Sequence, residues 1–104
     1  MNILEKADEI VNQRSEEKNR QYGSFDESMD KMRDIFNSMT GLQLETKHMF
    51  QAMIALKLSR EAHAHKEDNL LDAVAYMGAM NNYLEANKLP KQLELDFSGK
   101  IKKV

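Results

Sequence analysis

The sequence predicts an all-α fold of four helices followed by a short extended or β-hairpin tail. Three observations lead there. Apolar residues return every three or four positions through most of the first 88 residues. Chain breakers are scarce, with four Gly in the chain and a single Pro, Pro90. Beyond Pro90 the period drops to two, with Leu93, Leu95 and Phe97 alternating with polar residues. The 104 residues therefore divide into one helical domain over 1–88 and a tail over 89–104.

Each element has its own local reason. Ile3, Leu4, Ala7, Ile10 and Val11 share one helical face, which predicts a first helix over 2–14. The polar run "RSEEKNRQYG" then leaves room for no more than a short helical turn and stops at Gly23. Ser24 and Glu27 stand in capping-box spacing. Phe25, Met29, Met32, Phe36 and Met39 follow at three- and four-residue steps, so a second helix is expected over 25–39, stopped by Thr40 and Gly41. A third helix is expected over 46–64 and a fourth over 68–86, closed by "NKLP". In the tail, "FSGK" suits a turn between 92–97 and 100–104.

Composition removes several function classes. The net charge of −2 argues against a dedicated nucleic-acid binder, which shows a strong basic excess. No apolar run approaches 18 residues, so no membrane span is expected, and the charged N-terminus "MNILEKADEI" does not read as a signal peptide. With no Cys, disulfides, zinc–thiolate sites and cysteine nucleophiles are excluded, and a cytoplasmic location is the expectation. Eight Met make an adaptable core and leave apolar surface that self-association into a homo-oligomer would cover.

The chemistry concentrates in "ALKLSREAHAHKEDNLLDAVAY", residues 55–76. At 100° per residue, the third helix centres its apolar face on Met49, Phe50, Met53 and Leu56, and Lys57 and Arg60 continue that face by one turn. On the fourth helix the main apolar face is read as Leu70, Leu71, Val74 and Met77. Asp68 and Asp72 lie to one side, four residues apart, in line with Ala75 and Ala79. Asn69 and Tyr76 flank the same edge. Cations on a core-directed face need partners. Two arrangements supply them. One is an internal salt-bridge network of Lys57 and Arg60 with Asp68 and Asp72. The other is a polar pocket in which Lys57 and Arg60 grip phosphate oxygens while Asp68 and Asp72 hold a hard cation such as magnesium. His63 and His65, two apart, cannot face the same way and read as solvated or capping residues. His48 reads as a surface residue. Glu16 and Glu17 read as a solvated turn, and Tyr22 as either a stacking ring for a base or an anchor for the Gly23 turn.

Several of these residues also form a family pattern. Asn12 and Arg14 end the first helix, and Arg20, Tyr22 and Gly23 form a turn. Lys57 and Arg60 follow on one helix, and Asp68, Asn69, Asp72 and Tyr76 on the next. Over roughly residues 3–84 the chain resembles a family of small helical proteins of unknown function found in bacteriophage and prophage genomes. More distantly it is similar to the MazG-like all-α nucleoside triphosphate pyrophosphatases, which hold magnesium with a Glu-x-x-Glu helix and a Glu-x-x-Asp helix. That similarity implies a MazG-like bundle, a bound nucleotide, magnesium and a tendency to assemble. Asp72 stands for the final Asp of that pattern. Lys57 and Arg60 occupy the helix of the paired glutamates, and Asn69 stands in place of the second helix's Glu. The departure favours anion capture over metal-assisted hydrolysis. The expected ligand contacts are Lys57, Arg60, Asn69 and Tyr22 or Tyr76, with Asp68 and Asp72 on the cation. The enzymatic form of the same expectation is a magnesium-dependent nucleoside triphosphate pyrophosphohydrolase.

The tail carries a second expectation. Gln92, Leu93, Leu95 and Phe97, in "QLELDF", resemble the peptide with which bacterial replication and repair proteins dock on the DNA sliding clamp. Such an extended peptide presents Leu95 and Phe97 to apolar pockets while Gln92 hydrogen-bonds at the rim. The alternative is a strand that packs on its own domain or on a second copy.

Overall fold

A computed structural model of the chain describes residues 1–13, 18, 20 and 23–88. The strand or hairpin expected in the tail lies outside the described residues, as does most of the 14–22 segment, of which Lys18 and Arg20 are described and are helical. Within them the chain is all-α, with four helices: α1 (Ile3–Asn12), α2 (Phe25–Thr40), α3 (Thr46–His63) and α4 (Glu67–Ala86).

Local chemistry sets the boundaries. Asn2 caps α1: its side chain accepts from the Glu5 N–H at 2.9 Å, and Glu5 Oε1 accepts from the Asn2 N–H at 2.8 Å. Ser24 and Glu27 form the same reciprocal box at the start of α2, at 3.1 and 2.9 Å. Gly23 ahead of it sits at φ +77°, and a Cβ there would stand 3.1 Å from Glu27 Oε1, so the position suits glycine twice over. Gly41 ends α2 at φ +76°, and its N–H donates to the Asn37 carbonyl. Asn37 also brackets the backbone of Leu44, accepting from its N–H and donating to its carbonyl, both at 3.0 Å. That clamp fixes the 41–45 connection and turns Leu44 onto the core. His48, half-buried at the start of α3, receives the Glu45 N–H at 2.9 Å and so caps the helix.

The helices stack in the order α1, α4, α3, α2. The α3–α4 packing is the most extensive, α1 lies chiefly on α4, and α2 on α3. Lys6 on α1 reaches Glu67 at the start of α4 at 3.1 Å, while Asn12 accepts from Asn82 Nδ2 at 3.0 Å, so α1 and α4 run in the same sense. Phe50, fully buried, centres the core with Met29, Met49 and Ala79. Tyr83 tilts against the Phe50 ring at 5.6 Å, and Phe25 meets Tyr76 edge-on at 5.5 Å. Thr46 is buried and satisfied: its hydroxyl donates to Asp30 at 2.7 Å and accepts from Arg33 at 2.8 Å, tying α2 to the first turn of α3.

The face of α4 differs from the expectation. Its buried residues are Ala73, Ala75 and Ala79, whereas Met77 is 43% exposed and Leu70, Leu71 and Val74 are only half-buried. The small stripe faces inward because α4 is packed on two sides, by α1 and by α3, and alanines let both helices approach closely. Among the described residues no helix is long and apolar enough to cross a membrane.

Candidate functional site

Lys57 lies two turns beyond Phe50 on α3 and keeps to the same face. Its side chain is 17% exposed, and its ammonium sits 3.1 Å from Asp72 Oδ2 on α4. The pair spans the two most closely packed helices and neutralises the cation where the core gives way to solvent. One link of the internal network is therefore formed. Arg60 and Asp68 are not part of it, and neither has an ion-pair partner among the described residues.

One turn further along, the tight α3–α4 connection borders an open surface cleft of about 500 Å³ lined by the exposed Ser59, Arg60, His63, Ala64 and Lys66 and the half-buried Asn69. Glu61 builds the turn. Its carboxylate accepts from the Lys66 N–H at 3.0 Å and from the His65 imidazole, and it also receives the Asn69 side chain. The His65 hydrogen bond first, and the Lys66 backbone N–H second, hold the Glu61 carboxyl below its ordinary range. The Asn69 carboxamide also reaches the Ala64 carbonyl, at 3.5 Å.

With Glu61 committed to the turn, the cleft is cationic. Among the described residues no carboxylate lines it. The charged heads of Arg60 and Lys66 and the ring of His63 have no hydrogen-bond or ion-pair partner among the described residues. The first turn of α4 opens beside them without a side-chain cap on its N–H groups. Of the two acidic residues in that turn, Glu67 is drawn off by Lys6.

The structure thus gathers Arg60 and Asn69 at one cleft and sets Lys57 and Asp72 behind it as a closed pair. Tyr76 is elsewhere: its ring meets Phe25, two turns and about 10 Å along α4 from Asn69. Among the described residues no three or more His, Cys, Asp or Glu side chains gather as metal ligands, so Asp68 and Asp72 have no third protein ligand there. Tyr22, Glu16 and Glu17 lie outside the described residues, as do Gln92, Leu93, Leu95 and Phe97. Asn12 of the family pattern receives Asn82 and donates to Asp8 Oδ1 at 2.7 Å, joining α1 to α4. Asp26, in a groove of about 280 Å³ shared with Asn12 and Asn82, has its carboxyl held above the usual value, by burial first and then by Asp30.

Ser59 and Lys66 escaped the sequence reading, and His63, exposed as expected, was not read as part of a site. A signal for His63 was present, since it stands three residues after Arg60 on the same helix, a spacing that places neighbours on one face. Lys66 carried no such signal, because it reaches the cleft through the turn.

Comparison with known proteins gives a family and no further relative. Residues 2–84 match the model of a domain of unknown function, DUF6378. No curated protein matches the chain, and no solved structure does.

Proposed function

The chain belongs to the DUF6378 family, and from that premise we propose that it binds a phosphorylated ligand, a nucleotide in the first instance, at the cleft where α3 turns into α4. The observation that carries the reading is the cluster of Arg60, His63 and Lys66 around an open cleft with no carboxylate among its lining residues. Arg60 offers a planar fork that matches two phosphate oxygens, and Lys66 adds a compact point charge. Ser59 supplies a hydroxyl donor at the rim. The Lys57–Asp72 pair holds α3 and α4 in register behind the cleft, a positioning role and not a ligand contact.

Binding without hydrolysis is the form of this proposal, and sequestration of a nucleotide is the activity it implies. On the sequence resemblance, Lys57 and Arg60 occupy the helix that would carry the paired glutamates of a MazG-like enzyme, and Asp72 is already neutralised by Lys57. In the hydrolytic version, a vestigial pyrophosphatase, magnesium would displace Lys57 from Asp72 and draw on Asp68 and the ligand's own phosphates. A phage-type accessory role accompanies the proposal on the strength of the sequence resemblance alone.

The test is the melting temperature of the full chain against a nucleotide panel, with and without magnesium. A ligand at a hundred times its Kd adds about 2.7 kcal/mol to stability, a shift of several degrees for a domain of this size. Arg60→Ala with Lys66→Ala should abolish the shift while leaving the unliganded melt in place. A flat panel sinks the reading.

A second reading, of a different class, rests on the tail. Gln92, Leu93, Leu95 and Phe97 follow both the family match and the end of α4, where a docking peptide for a bacterial sliding clamp would extend from the domain. Leu95→Ala with Phe97→Ala should remove binding to purified clamp, and the Arg60–Lys66 double variant should not.

A further inference from the structure

We infer that the cleft recognises the phosphate chain and not the base, so that its ligand class is di- and triphosphates irrespective of the nucleoside attached. The inference rests on the phosphate-binding reading above and narrows it. Reading a base takes an aromatic platform to stack it or free polar groups aimed at its edge. The cleft offers neither among the described residues. Its single ring is the His63 imidazole. The aromatic rings of the helical core are committed to one another, Phe25 to Tyr76 and Phe50 to Tyr83. Phe36 is on α2, which packs on α3 through its first turns, near Thr46 and Met49. The carboxamide best suited to a base edge, Asn69, is engaged by Glu61 and the Ala64 carbonyl.

The cleft does offer charge. Arg60 and Lys66 are two permanent cations that approach it from opposite sides of the turn, one from the last helical turn of α3 and one from the N-cap of α4. Two cations at one cleft match the higher charge of a diphosphate or triphosphate better than that of a single phosphate.

The experiment is isothermal titration of the full-length protein with inorganic triphosphate, ATP, GTP, CTP, UTP, AMP and adenosine, each with and without magnesium. The expected result is that inorganic triphosphate and the four nucleoside triphosphates bind within about threefold of one another, AMP binds at least about tenfold more weakly, and adenosine does not bind. Arg60→Ala and, separately, Lys66→Ala should weaken every triphosphate alike, with unchanged circular dichroism and melting behaviour showing that both variants fold. If one nucleotide binds more than about tenfold tighter than inorganic triphosphate, base-blind recognition is overturned while phosphate binding stands. If neither nucleotides nor inorganic triphosphate bind, the underlying reading falls as well. If triphosphate binding survives both substitutions, the cleft is not its site and the inference fails.

Discussion

The two halves of α3 are made of similar sequence and end in opposite environments. In the first half Thr46, Met49 and Phe50 are buried, and Phe50 is the centre of the core. In the second half Leu56 and Leu58 are 40% and 43% exposed, Lys57 alone keeps to the inward face, and Arg60, expected on that face, is exposed because the helix there has run past the core. Hydrophobic periodicity runs through both. The halves differ in how much of the molecule surrounds them. Near Phe50, α2, α3 and α4 all converge, whereas near Arg60 the neighbour among the described residues is α4. One continuous helix therefore serves as scaffold at one end and presents charge to solvent at the other. A rigid element holding a polar cluster beyond the edge of a core is a good way to keep unpaired cations apart and oriented.

The most forceful way to break the comparison is at its buried end. Phe50→Ala should cost about 3–5 kcal/mol, the lost transfer energy plus the cavity that Met29, Met49, Ala79 and Tyr83 cannot fill. Leu56→Ala, at the exposed end, should cost less than about 1 kcal/mol, since much of that side chain already meets water. Urea denaturation of the two variants measures both. Equal losses would mean that the core extends further along α3 than the burial pattern indicates.

The next effect is smaller and lies at the boundary between the halves. A double-mutant cycle on Lys57→Ala and Asp72→Ala should give a coupling of roughly 1 kcal/mol. The figure is kept low because the Asp72 side chain is 40% exposed and the pair is screened accordingly. Coupling should shrink as salt is raised. Zero coupling in low salt would reduce Lys57 to a half-covered surface residue, and its place behind the cleft would lose its structural reason.

These contrasts mark what the sequence could reveal. The helix boundaries were legible because caps and stops are local: Ser24 with Glu27 and Thr40 with Gly41 sit within a few residues of the turns they make. Asn2 with Glu5 follows the same rule and was equally available. The inward side of the first half of α3 was legible from the period, as was the need of Lys57 for a partner, but Leu56 and Arg60, read on the same face, are exposed. Which of Asp68 and Asp72 would supply it was not, because that depends on the rotation of α4 set by the 64–66 turn. For the same reason Ala73, Ala75 and Ala79 proved to be the inner stripe of α4 in place of the larger apolar residues. A period identifies stripes, but packing on both sides chooses between them. The cleft was half legible. Arg60 and Asn69 stood out by type, whereas Lys66 enters through backbone geometry that Glu61 imposes.

Glu61 gives the smallest effect and the sharpest separation of the two halves, because it tests whether the solvent end is held by charge. Its carboxyl lies below the usual glutamate value of 4.5 through the His65 hydrogen bond and then the Lys66 N–H. A depressed carboxyl pKa stabilises the fold above its unfolded value, and that contribution is lost as pH falls through the depressed one. Stability should therefore be flat from neutrality to about pH 5 and then decline with acid as Glu61 takes up its proton. Glu61→Gln keeps the shape and removes the titration, so its decline below pH 5 should be shallower. Phe50→Ala, which contains no titrating group, should fall in parallel with the wild type, offset by a constant. Asp26 supplies a built-in counterweight: its raised pKa favours the folded state as acid is added, since the folded chain takes up that proton first. Replacing it in turn, as Asp26→Asn, should steepen the acid decline. Urea midpoints measured across pH 3–7 for the four proteins read these slopes directly. If Glu61→Gln and the wild type decline alike, the turn that presents Arg60 and Lys66 is held by its backbone and not by the Glu61 carboxylate. The contrast between a packed end and a charge-held end of α3 would then have to be given up.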